Sequence, residues 1–279
     1  MNNDRIQEIL DLMEEARLDY FLISDPQSIA YCTGYYNDPH ERMFVFMVSK
    51  HGNHTLFMND LFYLEHDLGV NIVWHKDGQD AIQTIVNEMH FPGRIGIDKN
   101  WASHFLLDLM KKLPNAKYIN ASPCVDLVRM KKDLQEQVLM IESSKINDAV
   151  MEEIIPFIQE GVSEKQLAKK LDELFFNHHS TCYGAIVAFG KNAADPHHEN
   201  DDTLLRKGNC VLIDMGCVYK GYCSDMTRTF FYGGIREDEM KVYEIVKKAN
   251  EAAEAMIKPG VKLSDIDKCA RKVISDESY

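Results

Sequence analysis

Two aspartates on one short apolar ribbon constrain this chain more than any other feature. Residues 210 to 232 read Cys-Val-Leu-Ile-Asp-Met-Gly-Cys-Val-Tyr-Lys-Gly-Tyr-Cys-Ser-Asp-Met-Thr-Arg-Thr-Phe-Phe-Tyr. Two β-rich runs joined by a turn that carries Gly216 and Gly221 spell a β-hairpin. Asp214 leaves the first strand and Asp225 lies inside the second, symmetric about a midpoint between Tyr219 and Lys220. An unbulged register then sets them face to face. Residues directly opposed in an antiparallel pair have Cβ atoms roughly 4.5 to 5.5 Å apart, and like charges there destabilise the ladder. Either one carboxylate stays protonated because its neighbour raises its pKa, or a cation sits between the pair. Hard divalent cations take oxygen ligands, and a two-metal centre with ions about 3.5 to 4 Å apart suits carboxylates on neighbouring strands. The cation is the preferred reading. A period of two places Thr227 and Thr229 on the face of Asp225 and Arg228 on the other, which makes Thr227 a candidate to orient a ligand or substrate.

The plain alternative is a hairpin whose aspartates point into solvent. Val211, Leu212, Ile213, Phe230 and Phe231 make the strands too apolar for a surface, so both aspartates are expected to be at least partly buried. A buried charge needs a partner.

These residues also resemble a family. Val-Leu-Ile-Asp-Met-Gly followed by Gly-Tyr-Cys-Ser-Asp-Met-Thr-Arg-Thr-Phe is similar to the first metal-ligand hairpin of the proline-specific metallopeptidases with the pita-bread fold. These are the Xaa-Pro dipeptidases (prolidases) and aminopeptidases P, relatives of methionine aminopeptidase and creatinase. The family's spacing of ten residues between the aspartates is reproduced by Asp214 and Asp225. The resemblance implies that Asp214 and Asp225 are bridging and terminal ligands of two divalent ions, Mn²⁺ first, with Co²⁺ or Zn²⁺ as alternatives. It further implies a Xaa-Pro dipeptide or short peptide as substrate and a homodimer as the assembly. Creatinases lack this pair of aspartates, which weakens a metal-free C–N hydrolase reading.

Composition narrows the partners. A net charge of −13 over 279 residues disfavours nucleic acid and anionic membranes, both of which need a basic face. No run of 18 apolar residues exists and the N-terminus does not resemble a signal peptide, so the chain is expected in the cytoplasm. Seven cysteines without a Cys-x-x-Cys pair argue against disulfides and zinc knuckles. Cys217 and Cys223 are expected to be packed thiols.

Along the chain, helical spacing over 5–18 precedes strand-like runs at 20–24, 43–49, 55–58 and 71–74. A helix over 79–90, a strand at 94–98 and a helix over 102–112 follow. Such alternation predicts an α/β layer. The polar segment Gly34 to Arg42 is a loop, and His40 and Arg42 are carried as candidate substrate or neighbouring-subunit contacts. A long helix begins near Asp133, Ser163 caps another that runs to about 177, and two more cover 236–257 and 265–275, the last capped by Ser264. The fold class is α/β (α+β): a creatinase-like N-terminal α/β domain over 1–128 and a partial pita-bread catalytic domain over 129–279, both assigned with the resemblance.

Residues 186 to 198 run from an apolar strand into a polar loop that ends Ala-Asp-Pro-His-His. His178, His179 and His198 are read as structural or surface residues. His197 matches, in its Gly-x-Asn-Ala-x-x-Pro-His context, the loop from which prolidases and aminopeptidases P direct a histidine at the substrate. Amide hydrolysis requires a donor for the developing oxyanion or the leaving nitrogen, which a histidine can supply. Asn192 is expected to shape the loop.

The resemblance implies five protein ligands, the last three being a histidine in a glycine-rich segment and two glutamates on later strands. None has a counterpart before Tyr279. The chain is therefore expected to be incomplete at its C-terminus, weak in metal binding and inactive alone, with apolar residues such as Ile213 and Phe230 exposed unless a partner covers them. Dipeptidase, aminopeptidase P and a non-catalytic peptidase-like binding module all remain open.

Overall fold

The computed structural model describes residues 1–90 and 92–279, which divide into two compact units, Met1–Lys132 and Asp133–Tyr279. The division falls at the capped start of a long helix, a few residues after the boundary expected near 128.

The first unit contains α1 (Asn3–Glu15), β1 (Tyr20–Ile23), α2 (Pro26–Thr33), β2 (Val45–Ser49), β3 (Thr55–Asn59) and β4 (Asn71–His75). It continues with α3 (Ala81–Glu88), β5 (Arg94–Ile97), α4 (Ser103–Lys112), β6 (Lys117–Asn120) and α5 (Ser122–Met130). The sheet order is β4-β3-β2-β1-β5-β6, antiparallel from β1 through β3 and parallel at β3–β4, β1–β5 and β5–β6. Alternation divides its core into two layers. Phe21, Ile23, Phe46 and Val48 meet Ile6, Ile9 and Met13 of α1 and Val125 and Val128 of α5. Tyr20, Leu22, Val45 and Met47 meet Ile82 and Ile85 of α3 and Leu109 of α4. The central strands are buried on both sides, which is why they read as continuous apolar runs.

Three elements of this unit escape the sequence reading: α2, β6 and α5. α2 starts on the Asp25 side chain, which accepts from Ser28 N–H at 2.9 Å, and stops at Gly34, whose φ of 79° is the left-handed stop that glycine favours. With eight residues it is too short to announce itself by periodicity.

The second unit opens with α6 (Leu134–Ile154), held by a reciprocal capping box between Asp133 and Glu136. A 3₁₀ turn over Ile155–Phe157 precedes α7 (Glu164–Asn177), capped by Ser163 and Gln166. β7 (Thr181–Cys182), β8 (Ile186–Phe189), a 3₁₀ turn over Gly190–Ala194, β9 (Cys210–Tyr219) and β10 (Tyr222–Phe231) follow. α8 (Glu237–Glu254) and α9 (Leu263–Asp276) pack on each other. α9 begins at Leu263, so Ser264 lies inside its first turn and is not the expected cap; Lys262 holds that position without a side-chain bond. β10 and β9 form a sheet with β7, and β8 also pairs with β9.

Asp19 couples β1 to the turn before β5. Its Oδ2 accepts from the Gly93 and Arg94 N–H groups at 2.8 Å each, and its Oδ1 pairs with Lys50. Burial alone would push this carboxyl up, but Lys50 and the two amides outweigh it and hold it below the usual aspartate range. A depressed carboxylate stabilises the fold above its unfolded pKa of about 3.9, and that stability is lost as pH falls through the lower folded value. Urea unfolding of Asp19→Asn should therefore show a weaker dependence on pH below about 4 than the parent chain.

Candidate functional site

The β9–β10 ladder sets the site, and a two-residue turn sets the ladder. Tyr219 pairs with Tyr222, leaving Lys220 at φ 49° and Gly221 at φ 84° between them. Two successive positive φ angles are the type I′ geometry whose twist matches the flanking strands. Gly216 is not in the turn but in β9, opposite Asp225.

This register corrects the expected pairing. The hairpin midpoint falls between Lys220 and Gly221, so Asp214 faces Thr227 and Asp225 faces Gly216. The aspartates are diagonal neighbours on one face, with Cα atoms roughly 7 to 8 Å apart, where repulsion is weaker than across a direct pair. The Thr227 hydroxyl donates to Asp214 Oδ1 at 2.7 Å.

The expected partial burial holds for Asp214, which is half-buried, and is corrected for Asp225, which is exposed. Of the apolar residues that suggested burial, Val211, Ile213 and Phe230 lie on the other face, while Leu212 and Phe231 share that of the aspartates. Val211, Ile213, Met215 and Cys217, with Met226 and Phe230, pack against Val150, Met151 and Ile154 of α6 and Leu167 and Leu171 of α7. Ile213 is consequently fully buried and Phe230 packed, contrary to the expectation of exposure. Cys217 is buried beside Ser143 and Ser224, whereas Cys223, expected to be packed, is exposed because it shares the aspartate face. All seven cysteines are free.

Tyr183, which no pattern in the sequence singles out, completes this face. Its hydroxyl donates to the Ser224 carbonyl at 2.7 Å and lies 3.4 Å from Asp225 Oδ2. Burial, then the nearby Asp225 carboxylate, pushes the phenol up to about 12, so it stays a donor at neutral pH. It reaches this position only because residue 216 has no side chain: a Cβ there would overlap the Tyr183 hydroxyl and the Ser224 carbonyl. Beside β10 a cleft of ≈ 660 Å³ opens between α6 and α8, lined by Asn147, Asp225, Thr227, Tyr243 and Lys247 among others. Gly216→Ala should lower stability by about 1 to 3 kcal/mol through overpacking, read as a shifted urea midpoint at unchanged slope.

The histidine loop leaves β8, whose Ile186 pairs with Asp214. His197 is exposed, and its N–H is held by Asp195 Oδ1 at 3.0 Å. Three residues on, Asn200 returns to β8, accepting from Val187 N–H and donating to the Ala185 carbonyl at 2.7 Å each. Asn192 does shape the loop, donating to Glu164 Oε1 at 2.9 Å. His198 is structural: its Nε2 bonds Glu164 Oε2 at 2.7 Å. Glu164, His198 and Asp201 bring ligand-type atoms within 4.8 Å of one another, and among the described residues no other trio of His, Cys, Asp or Glu does so. Neither Asp214 nor Asp225 belongs to that trio.

His40 and Arg42 lie in the first unit. His40 is exposed at φ 50°, while Arg42 forks onto Asp77 at 3.0 and 2.8 Å and also bonds Glu41.

Residues 138–279 match the model of metallopeptidase family M24, and residues 5–131 match the creatinase/prolidase N-terminal domain. The chain belongs to metallopeptidase family M24. It is 29% identical over 284 aligned residues to an uncharacterized peptidase of Staphylococcus aureus, covering 99% of this chain and 79% of that one. Among solved structures, a dipeptidase from Pyrococcus horikoshii is 33% identical with a TM-score of 0.88, covering 99% of this chain and 78% of its own. A prolidase from Thermococcus sibiricus is 28% identical with a TM-score of 0.90, covering 100% and 79%. A Xaa-Pro dipeptidase from Bacillus anthracis is 25% identical with a TM-score of 0.89, covering 99% and 78%. The two units of this M24 chain are thus a creatinase-like α/β domain and a pita-bread domain. Among its described residues, no helix is long and apolar enough to cross a membrane.

Proposed function

We propose that this M24 chain carries the substrate-facing part of a Xaa-Pro dipeptidase site. The observation that supports this most is the placement of Asp214 and Asp225 on one face of the hairpin, each with a hydroxyl beside it. Carboxylate oxygens suit hard divalent cations, and Asp214 and Asp225 would hold two such ions, Mn²⁺ first, Co²⁺ or Zn²⁺ otherwise. When bound, the ions supply a water acidic enough to attack the peptide carbonyl near neutral pH.

The chain's own residues do the rest. Thr227 donates to Asp214, which occupies one oxygen and fixes the direction of the other. Tyr183 stays protonated, donates to the Ser224 carbonyl and borders Asp225 Oδ2 at 3.4 Å, which shapes the space around that carboxylate. His197 donates to the developing oxyanion or to the prolyl nitrogen as it leaves. In the homodimer expected for this chain, the loop carrying His40 and Arg42 approaches a neighbouring subunit, and sedimentation velocity checks the assembly.

Mn²⁺ should raise the melting temperature of the chain, and Asp214→Asn and Asp225→Asn should each abolish the rise. Thr227→Val should weaken Mn²⁺ binding by roughly 10- to 100-fold in calorimetry. Cleavage of a Gly-Pro dipeptide that depends on added Mn²⁺ and falls with His197→Ala supports the reading. No bound metal in elemental analysis and no thermal shift would instead favour a peptidase-like binding module.

A further inference from the structure

Glu164 is the first residue of α7, a position where a carboxylate ordinarily meets solvent and the positive end of the helix dipole. Here it turns inward and is fully buried. A buried carboxylate needs every lone pair matched. Oε1 accepts from the Phe189 N–H at 2.8 Å and from Asn192 Nδ2 at 2.9 Å. Oε2 accepts from His198 Nε2 at 2.7 Å and from the Asp201 N–H at 3.1 Å. Four donors from one side of the loop and the other saturate the group, so no lone pair is left for a cation. The trio of Glu164, His198 and Asp201 is therefore a latch.

The arrangement of the donors gives the latch its purpose. One oxygen grips the loop where it leaves β8, at residues 189 and 192; the other grips it where it returns, at 198 and 201. Between these grips the chain is closed by short-range bonds, Asp195 N–H to the Asn192 carbonyl and His198 N–H to the Asp195 carbonyl. His197 stands next to the second grip with an exposed side chain. We propose that Glu164 is a positioning residue for His197, its buried carboxylate drawing both ends of the 189–201 loop together so that one imidazole is fixed and its neighbour is presented outward. The proposal rests on the reading of His197 as a substrate-facing donor, although the latch itself does not. Supporting it, the Glu164 carboxylate, and after it Asp201 and Asp195, hold His198 above the usual histidine range despite partial burial. These three acids are the charged groups that face His198 from α7 and from the loop.

The test compares the full chain with Glu164→Gln, which keeps the shape but removes the charge and replaces one acceptor oxygen by a donor. Amide hydrogen exchange over 189–201 should accelerate at least tenfold while exchange in β9 and β10 stays as it was. In histidine-labelled NMR titrations, His198 should fall back toward its ordinary range and the His197 ring signals should shift, a change that a loss of stability alone would not produce. His198→Gln, which removes a single grip, should accelerate exchange at 195–201 and leave 189–192 protected; it serves if Glu164→Gln does not fold. Unchanged exchange and an unchanged His197 signal in a folded variant would overturn the proposal. So would protection of 189–201 on adding Zn²⁺ or Mn²⁺ that Glu164→Gln abolishes, because the trio would then be a metal centre. If the latch behaves as expected while His197→Ala leaves Mn²⁺-dependent Gly-Pro cleavage intact, the functional reading fails and the latch stands.

Discussion

Val211, Ile213, Met215 and Cys217 leave β9 toward α6 and α7, and strand alternation hands every other residue to the opposite face. Full burial of a large apolar side chain contributes about 1.5 to 3 kcal/mol, so Val211, Ile213 and Met215 in one strand dominate any local preference of the residues between them. Asp214, Gly216, Asp225 and Thr227 are thereby committed to one side together. The polar contacts beneath reinforce this packing: Ser143 of α6 meets Ser224 at 3.0 Å, and Asn147 reaches the Met215 carbonyl at 3.4 Å. A charged face on an otherwise greasy ribbon is the by-product of packing on the reverse side.

Much of this was legible because periodicity reports burial directly. The long helices, the hairpin and the shared face of Asp225 and Thr227 all follow from spacing alone. The exact pairing did not, since the usual residues of a type I′ turn are Asn-Gly or Asp-Gly, and Lys220-Gly221 carries half of that signal. Gly216 misled for the same reason: a glycine in a strand can mark a turn or the close approach of another group, and only the fold shows that Tyr183 crosses above it. The exposure of Asp225 is not legible from apolar content alone, because Val211, Ile213 and Phe230 pack on the opposite face and cover nothing beside it.

Tyr183 and Glu164 were beyond reach for a different reason. The partners of Tyr183 lie about forty positions away in sequence, and those of Glu164 between 25 and 37. Nothing local distinguishes Glu164 from the acids that decorate the first turn of many helices; its environment is made by the strand and loop that return to it. His198 shows the converse, since reading it as structural required no knowledge of its partner.

The turn at Lys220 and Gly221 has a further implication for how this ribbon can change over time. Side chains alternate with a period of two, so one residue gained or lost in the strand between that turn and either aspartate, and not taken up as a bulge, would send the aspartate through the sheet to the helix side. Substitutions along β9 and β10 alter charge or bulk by degrees, whereas an insertion there separates the acidic pair at a stroke. The separation of the two carboxylates is thus recorded as a count of residues, and the hairpin can drift in spelling far more freely than in length.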